Sequence, residues 1–300
     1  MKLFRNILTG IFAAVFTVSS LMALSLALDY RTGNSSYEEA LALASGTEPT
    51  HPPTLPEITE PTPLPANVLL PQTPNATEPE PTEPLSTEPT GPAAIFDLQA
   101  LWLEALDLDA LREINAEVIG WILIPGTNIS YPIVQGRDND HYLNHTWDGQ
   151  SSATGAVFME ATHAADFSGF STILYAHNLR NGTMFSALHE YKAPEFWEEN
   201  PFVYIATDAG SFRYRIYAAY EADVTGTTYW TDVTTQQRQQ EYVRYGLDHS
   251  VLDTGVVPGD GSPVLTLSTC TGYTYARRWV VQAVLEGPIT GDLSQAFSPQ

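Results

Sequence analysis

The chain has 300 residues, 43% of them hydrophobic, which is enough for one or two domains with a sizeable core. Its formal net charge of −22 and only 13 basic residues argue against nucleic-acid binding, because a phosphate-binding face needs clustered lysine and arginine. The acidity favours solubility outside a cell. The single cysteine, Cys270, excludes an intramolecular disulfide and a cysteine-cluster metal site.

The N-terminus combines two basic residues with a long uncharged run. Lys2 and Arg5 precede residues 6–28, which carry no charge and are long enough to span a bilayer of roughly 30 Å. A secretory signal peptide begins in the same way, but its apolar region is usually about 7–15 residues long. We therefore expect residues 1–28 to be a cytoplasmic start and a single retained transmembrane anchor, with everything after residue 29 outside the cell.

A proline-rich segment separates this run from the rest of the chain. Residues 29–45 are compatible with a short helix that has Ser36 as its N-cap. Between Gly46 and Pro92 there are 14 prolines and seven glutamates. Proline removes a backbone donor and fixes φ, so this stretch is expected to be semi-extended, at about 3.1 Å per residue. Residues 29–94 are interpreted as an extracellular spacer that holds a folded domain away from the membrane.

The folded domain is expected at residues 95–300. Apolar residues at helical spacing predict one or two helices over residues 96–114. Short β-segments separated by turn signals follow, at residues 120–124, 131–134, 156–159, 171–176, 202–206, 211–220, 264–269 and 277–285. Helical patterns interrupt them at residues 184–191, 194–200 and 232–247, the last with Asp232 as N-cap. This order predicts a mainly β fold, a closed or nearly closed barrel with helical insertions.

Cys270 ends an apolar β-segment and is followed, after a loop of residues 271–276, by a segment that begins Arg277-Arg278. Strand alternation puts Cys270 on the same face as Ser268. If the two segments pair antiparallel, only one of the two arginines can face the cysteine. An arginine there would favour the thiolate and donate hydrogen bonds to a developing oxyanion. A free cysteine is more often buried and inert, so that alternative stays open.

A nucleophilic thiol needs a proton partner, usually histidine. Of the seven histidines, His177 stands out because it ends an apolar segment and lies at a predicted strand exit, where site residues are often placed. His163, His189 and His249 lie in polar surroundings and are expected to be exposed. His141 and His145 are four residues apart, which is a weak metal signal without the glutamate of HExxH.

These segments resemble the class B sortases, cysteine transpeptidases of Gram-positive bacteria. The similar stretches are TLSTC at residues 266–270, Arg278 before its apolar run, YAHNLRNGTMFSALHEY at residues 175–191, and residues 114–145. The resemblance spans about residues 98–286. It implies an eight-stranded sortase-type β-barrel with an N-terminal helix and a helix between strands six and seven, preceded here by the transmembrane helix and the proline-rich spacer.

The resemblance also implies a chemistry. Cys270 would be the nucleophile, His177 the general acid and base, and Arg278 the oxyanion donor, with no cofactor and no metal. Such an enzyme sits in the cell membrane with its catalytic domain outside. It cleaves a C-terminal sorting signal of an exported protein after threonine through a thioacyl-enzyme. It then transfers the acyl group to an amine of a peptidoglycan precursor or a pilin.

Family position further suggests that Asn139, Leu143, Tyr229 and Ser268 bind substrate, and that Trp230 walls the groove. The apolar residues among them could equally be core. The chain has Ala176 where the family commonly has glycine before the histidine. Two other functions stay open: a hydrolytic cysteine peptidase, and an exported scaffold without catalysis.

Overall fold

The structure is a computed structural model that describes Ser25 and residues 28–46, 94–272 and 276–292. Most of the predicted anchor and the proline-rich residues 47–93 lie outside these ranges. Among the residues described, no helix is long and apolar enough to cross a membrane. The anchor and the spacer therefore stay predictions.

Helix α1, residues 28–45, packs against the folded domain. Ala40 and Ala44 are fully buried, and the ring of Tyr37 lies edge-on to Tyr131 at 5.2 Å. The carbonyl of Ala44 accepts a hydrogen bond from the backbone N–H of Asp107 at 2.8 Å. This helix is thus part of the same folded body, although it precedes the predicted spacer. The predicted start of the catalytic domain at residue 95 stays a prediction.

Helix α1 also contacts the loop at residues 147–155. The indole N–H of Trp147 donates to the carbonyl of Ser36 at 2.9 Å. Gly33 allows the closest approach, since a Cβ there would lie 2.2 Å from Oγ1 of Thr154. The prediction of Ser36 as N-cap is wrong: helical residues extend back at least to residue 28, and Ser36 lies buried in the middle of α1.

Two short helices follow the two-residue strand β1 (Ile95–Phe96). Helix α2 is Leu98–Leu103 and helix α3 is Leu108–Ile114. Each begins at an aspartate, Asp97 or Asp107, whose carboxylate accepts a hydrogen bond from a backbone N–H of the first turn, as N-cap residues do. The prediction of one or two helices here is confirmed as two.

Eight further strands form the barrel. They are β2 (Val118–Leu123), β3 (Ser130–Val134), β4 (Val157–Met159), β5 (Ser171–Tyr175), β6 (Phe202–Thr207), β7 (Gly210–Asp223), β8 (Val264–Cys270) and β9 (Arg277–Thr290). Their order in the sheet is β9-β7-β6-β2-β3-β4-β5-β8, and β8 pairs again with β9, which closes the barrel. Strand β1 only flanks β9 in parallel. The predicted mainly β, eight-stranded closed barrel is confirmed.

The long strands β7 and β9 are covered on both faces. One face of β7 and β9 packs into the main core, which also contains the fully buried Trp121 and Ile122 of β2. A second apolar cluster lies on the other side and includes Tyr217 and Tyr220 of β7 with Tyr242 of an inserted helix. Burial on both faces explains why these strands are more continuously apolar than simple alternation predicts.

The inserted helices are α4 (Pro194–Glu199) and α5 (Gln236–His249). Helix α5 lies between β7 and β8, the sixth and seventh barrel strands, as predicted. Its predicted N-cap, Asp232, is wrong. Thr235 caps the helix, and Asp232 instead accepts a hydrogen bond from Arg238 at 2.8 Å. The helical pattern before α4 forms a 3-10 helix, Phe185–Lys192.

Candidate active site

Strand register brings the candidate residues together at one end of the barrel. In the antiparallel pair β8–β9, Cys270 lies directly opposite Arg278. In the parallel pair β5–β8, Tyr175 lies opposite Ser268. Parallel strands run in the same direction. His177 follows Tyr175 by two residues and Cys270 follows Ser268 by two residues, so His177 and Cys270 lie at the same level. Three residues that are distant in sequence therefore meet where β5 and β8 end.

The imidazole of His177 is fixed by a backbone carbonyl. Its Nε2 lies 2.6 Å from the carbonyl oxygen of Leu143. A carbonyl oxygen can only accept, so Nε2 carries a hydrogen and Nδ1 is left to exchange a proton with the thiol. Gly155 lies against the ring: a Cβ there would be 2.9 Å from Cδ2 of His177, and its φ of +64° also favours glycine.

The thiol of Cys270 and the imidazole of His177 shift each other's pKa in the direction that favours a thiolate beside an imidazolium. Their hydrogen bond is the main cause that raises the pKa of His177 above its usual value, while burial opposes the rise. The same hydrogen bond is the main cause that lowers the pKa of Cys270, again against burial. The positive charge of Arg278 lowers both pKa values, since it stabilises a thiolate and repels an imidazolium. The site thus favours a reactive thiolate.

The neighbouring Arg277 belongs to a different environment. It points away from the thiol, and its Nε lies 3.8 Å from a carboxylate oxygen of Glu221, with 49% of its side chain exposed. Arg278 lines the same cavity as Cys270. Strand alternation allowed only one of the two arginines to face Cys270, and the observed register places Arg278 there, as the family resemblance implied.

A cavity of about 330 Å³ opens beside the thiol. All four residues predicted to bind substrate line it: Asn139, Leu143, Tyr229 and Ser268. The hydroxyls of Tyr229 and Ser268 are hydrogen-bonded at 2.8 Å, which fixes one wall. Trp230 does not line the cavity; its ring packs under the guanidinium of Arg238 at 4.8 Å.

Glu160 also lines this cavity, although it was not among the residues predicted to bind substrate. It is only 6% exposed. Its carboxylate accepts hydrogen bonds from Nδ2 of Asn139 at 2.7 Å, from the hydroxyl of Tyr175 at 3.0 Å and from the hydroxyl of Thr162 at 3.2 Å. The carboxylate thus orients two side chains of the cavity wall. Its position directly after the short strand β4 was the signal available in the sequence.

His189 was expected to be exposed, and this is wrong. It is half-buried, and its Nε2 lies 3.0 Å from the main-chain carbonyl oxygen of Cys270. Asn178 donates to the same oxygen at 3.1 Å. The burial of His189 depends on its stacking against Trp279 of β9, which lies 90 residues later in the chain and gives no local signal.

The weak metal signal at His141 and His145 has a simpler structural account. The two rings stack at 4.1 Å, and Nδ1 of His145 lies 2.8 Å from the carbonyl of His141. Within the described ranges, no group of three or more histidine, cysteine, aspartate or glutamate side chains could hold a metal ion.

Comparisons with known proteins point to one family. A family model described as a sortase domain matches residues 122–286. The chain is 29% identical to Sortase B of Listeria monocytogenes over 181 residues, which are 60% of this chain and 74% of that protein.

Two solved structures are similar along the same region. A Staphylococcus aureus sortase B–substrate complex matches with a TM-score of 0.57 and 28% identity, covering 60% of this chain and 84% of that one. A crystal structure of sortase B complexed with triglycine matches with a TM-score of 0.56 and 28% identity, covering 60% and 85%.

Proposed function

Because the chain belongs to the sortase family and is a class B cysteine transpeptidase, we propose that it cleaves a sorting signal after threonine and transfers the acyl group to an amine. The acyl donor would be an exported protein with a C-terminal sorting signal. The acceptor would be an amine of a cell-wall precursor or a pilin. The similar structures with a substrate and with triglycine support a peptide donor and an amine acceptor.

The proposal assigns the first step to Cys270 and His177. The thiolate attacks the carbonyl carbon that follows threonine, and the carbonyl electrons move onto oxygen. The tetrahedral intermediate collapses with loss of the C–N bond, and Nδ1–H of His177 gives its proton to the departing amine. The hydrogen bond between the two side chains supports this exchange. The product is a thioacyl-enzyme.

The second step uses the same groups in reverse. The acceptor amine attacks the thioester carbonyl and loses a proton to Nδ1 of His177, and Cys270 leaves as thiolate. Arg278 lies opposite Cys270 in the strand register and can donate to the oxyanion of both intermediates. The single observation that carries the proposal is this convergence of thiol, imidazole and guanidinium on one cavity.

Location stays part of the proposal. Residues 1–28 would place the start of the chain in the cytoplasm and a single anchor in the cell membrane. The catalytic domain, residues 95–300, would then act outside the cell, beside the cell wall where its acceptor lies. No cofactor takes part in these steps.

The test uses the detergent-solubilised full-length chain and a panel of sorting-signal peptides, with and without triglycine. We expect a ligated product that depends on triglycine, detected by mass spectrometry. Cys270→Ala and His177→Ala should abolish it, and His249→Ala, on the exposed end of α5, should not. Free acid as the only product would instead indicate a hydrolytic peptidase. No product from any peptide, with a thiol inert to electrophiles, would favour a scaffold.

A further inference from the structure

The main-chain carbonyl of Cys270 is held from one side by two side chains. Nδ2 of Asn178 lies 3.1 Å and Nε2 of His189 lies 3.0 Å from its oxygen. The two nitrogens are 3.0 Å apart, so both approach the oxygen from the same direction. Neither residue lines the cavity beside the thiol. The carbonyl of Cys270 is therefore turned away from that cavity.

The orientation of this carbonyl sets the orientation of the next N–H. The peptide bond is planar, and no cis bond occurs among the described residues. In a trans peptide, the N–H points opposite to the C=O of the same unit. The N–H of Thr271 therefore points away from Asn178 and His189, which hold the carbonyl of the same peptide unit.

The two donors are themselves fixed. The ring of His189 stacks on Trp279 at 5.8 Å, and the indole N–H of Trp279 donates to the carbonyl of Leu188 at 2.7 Å. Trp279 follows Arg278 in β9, so the strand that carries the arginine also secures the histidine. Asn178 is held by a β-bridge to Met184. A rigid support of this kind is what an oriented donor requires.

We propose that Asn178 and His189 are positioning residues that fix the peptide plane between Cys270 and Thr271, so that the N–H of Thr271 and Arg278 together receive the oxyanion. This inference rests on the proposed acyl transfer. It assigns no proton transfer to His189. The imidazole acts through its Nε2–H on a carbonyl, and a glutamine Nε2–H can replace it.

The test separates oxyanion stabilisation from thiol reactivity. Two rates are measured on the full-length protein: single-turnover acylation by a sorting-signal peptide, and alkylation of Cys270 by iodoacetamide, which forms no oxyanion. His189→Met removes the donor at similar side-chain volume. We expect it to lower acylation at least about 10-fold, since loss of one oxyanion donor lowers kcat by about 10²–10³. Alkylation should stay within about twofold of the wild-type rate.

Conservative replacement gives the second readout. His189→Gln keeps an N–H at the position of Nε2 and should restore most of the acylation rate. Asn178→Ala should reproduce the selective loss while leaving His189 stacked on Trp279. His249→Gln, an exposed histidine on α5, is the matched control and should change neither rate.

Three results would overturn the inference: equal losses of acylation and alkylation, an unchanged acylation rate in His189→Met, or a glutamine variant as slow as the methionine variant. If the wild-type protein alkylates but acylates no peptide, the proposed function fails, and the positioning role fails with it.

Discussion

Replacing Arg278 with alanine is the sharpest test of the site, because Arg277 supplies a matched control next to it. Arg278 lies opposite Cys270, whereas Arg277 is half exposed and faces Glu221. If Arg278 donates to the oxyanion, its loss should lower single-turnover acylation by about 10²–10³. Arg277→Ala should lower it less than about threefold, since exposed ion pairs contribute little.

The pH dependence gives a second, independent signature. Arg278 lowers the pKa of Cys270 and also that of His177. Without this charge, both pKa values rise, so the thiolate forms at higher pH and the imidazolium persists to higher pH. Both limbs of the rate profile should therefore move to higher pH. Arg278→Lys should keep the pH profile near its wild-type position, because the positive charge remains. It should lower the rate, because lysine lacks the planar guanidinium with its paired N–H donors.

The assay is acylation by a sorting-signal peptide in single-turnover mixing from pH 5 to pH 10. Thermal melting of each variant shows whether the fold is retained. A profile that moves to lower pH in Arg278→Ala would refute the electrostatic reasoning. A larger loss in Arg277→Ala than in Arg278→Ala would refute the assignment of the donor.

Three further predictions concern other parts of the structure. Glu160→Leu removes the acceptor of three hydrogen bonds; we expect a several-fold rise in KM for the peptide with little change in kcat, measured by steady-state kinetics. Gly33→Leu places a Cβ 2.2 Å from Oγ1 of Thr154, so hydrogen exchange of residues 28–45 should increase, while the exposed Glu39→Leu should leave it unchanged. Trp121→Ala, at a fully buried position, should lower the free energy of unfolding by about 3–5 kcal/mol in urea titrations.

The sequence predicted the closing pair of strands well, because strand alternation is a local property. Counting residues along β8 and β9 showed that only one of the two arginines could face Cys270, and the observed register places Arg278 there. His177 could be found because a polar residue after an apolar run marks the end of a strand. The barrel itself followed from the number of short β-segments and from family resemblance.

What the sequence could not predict depends on partners distant in the chain. His189 is half-buried only because Trp279 packs against it. Glu160 faces the cavity only because Asn139 and Tyr175 converge on its carboxylate. The N-cap of α5 was misplaced because Asp232 and Thr235 are both good caps three residues apart, and Arg238 draws the aspartate away from the helix end.

The packing of α1 on the domain determines how the barrel is connected to the residues before it. Residue 46 leaves α1 next to Asp107, and the chain re-enters the domain at β1, alongside β9. Both of these points lie on the same folded domain, so α1 is the element that joins this domain to the residues before 28. The distance between the barrel and the residues before 28 therefore depends on how α1 packs against the barrel.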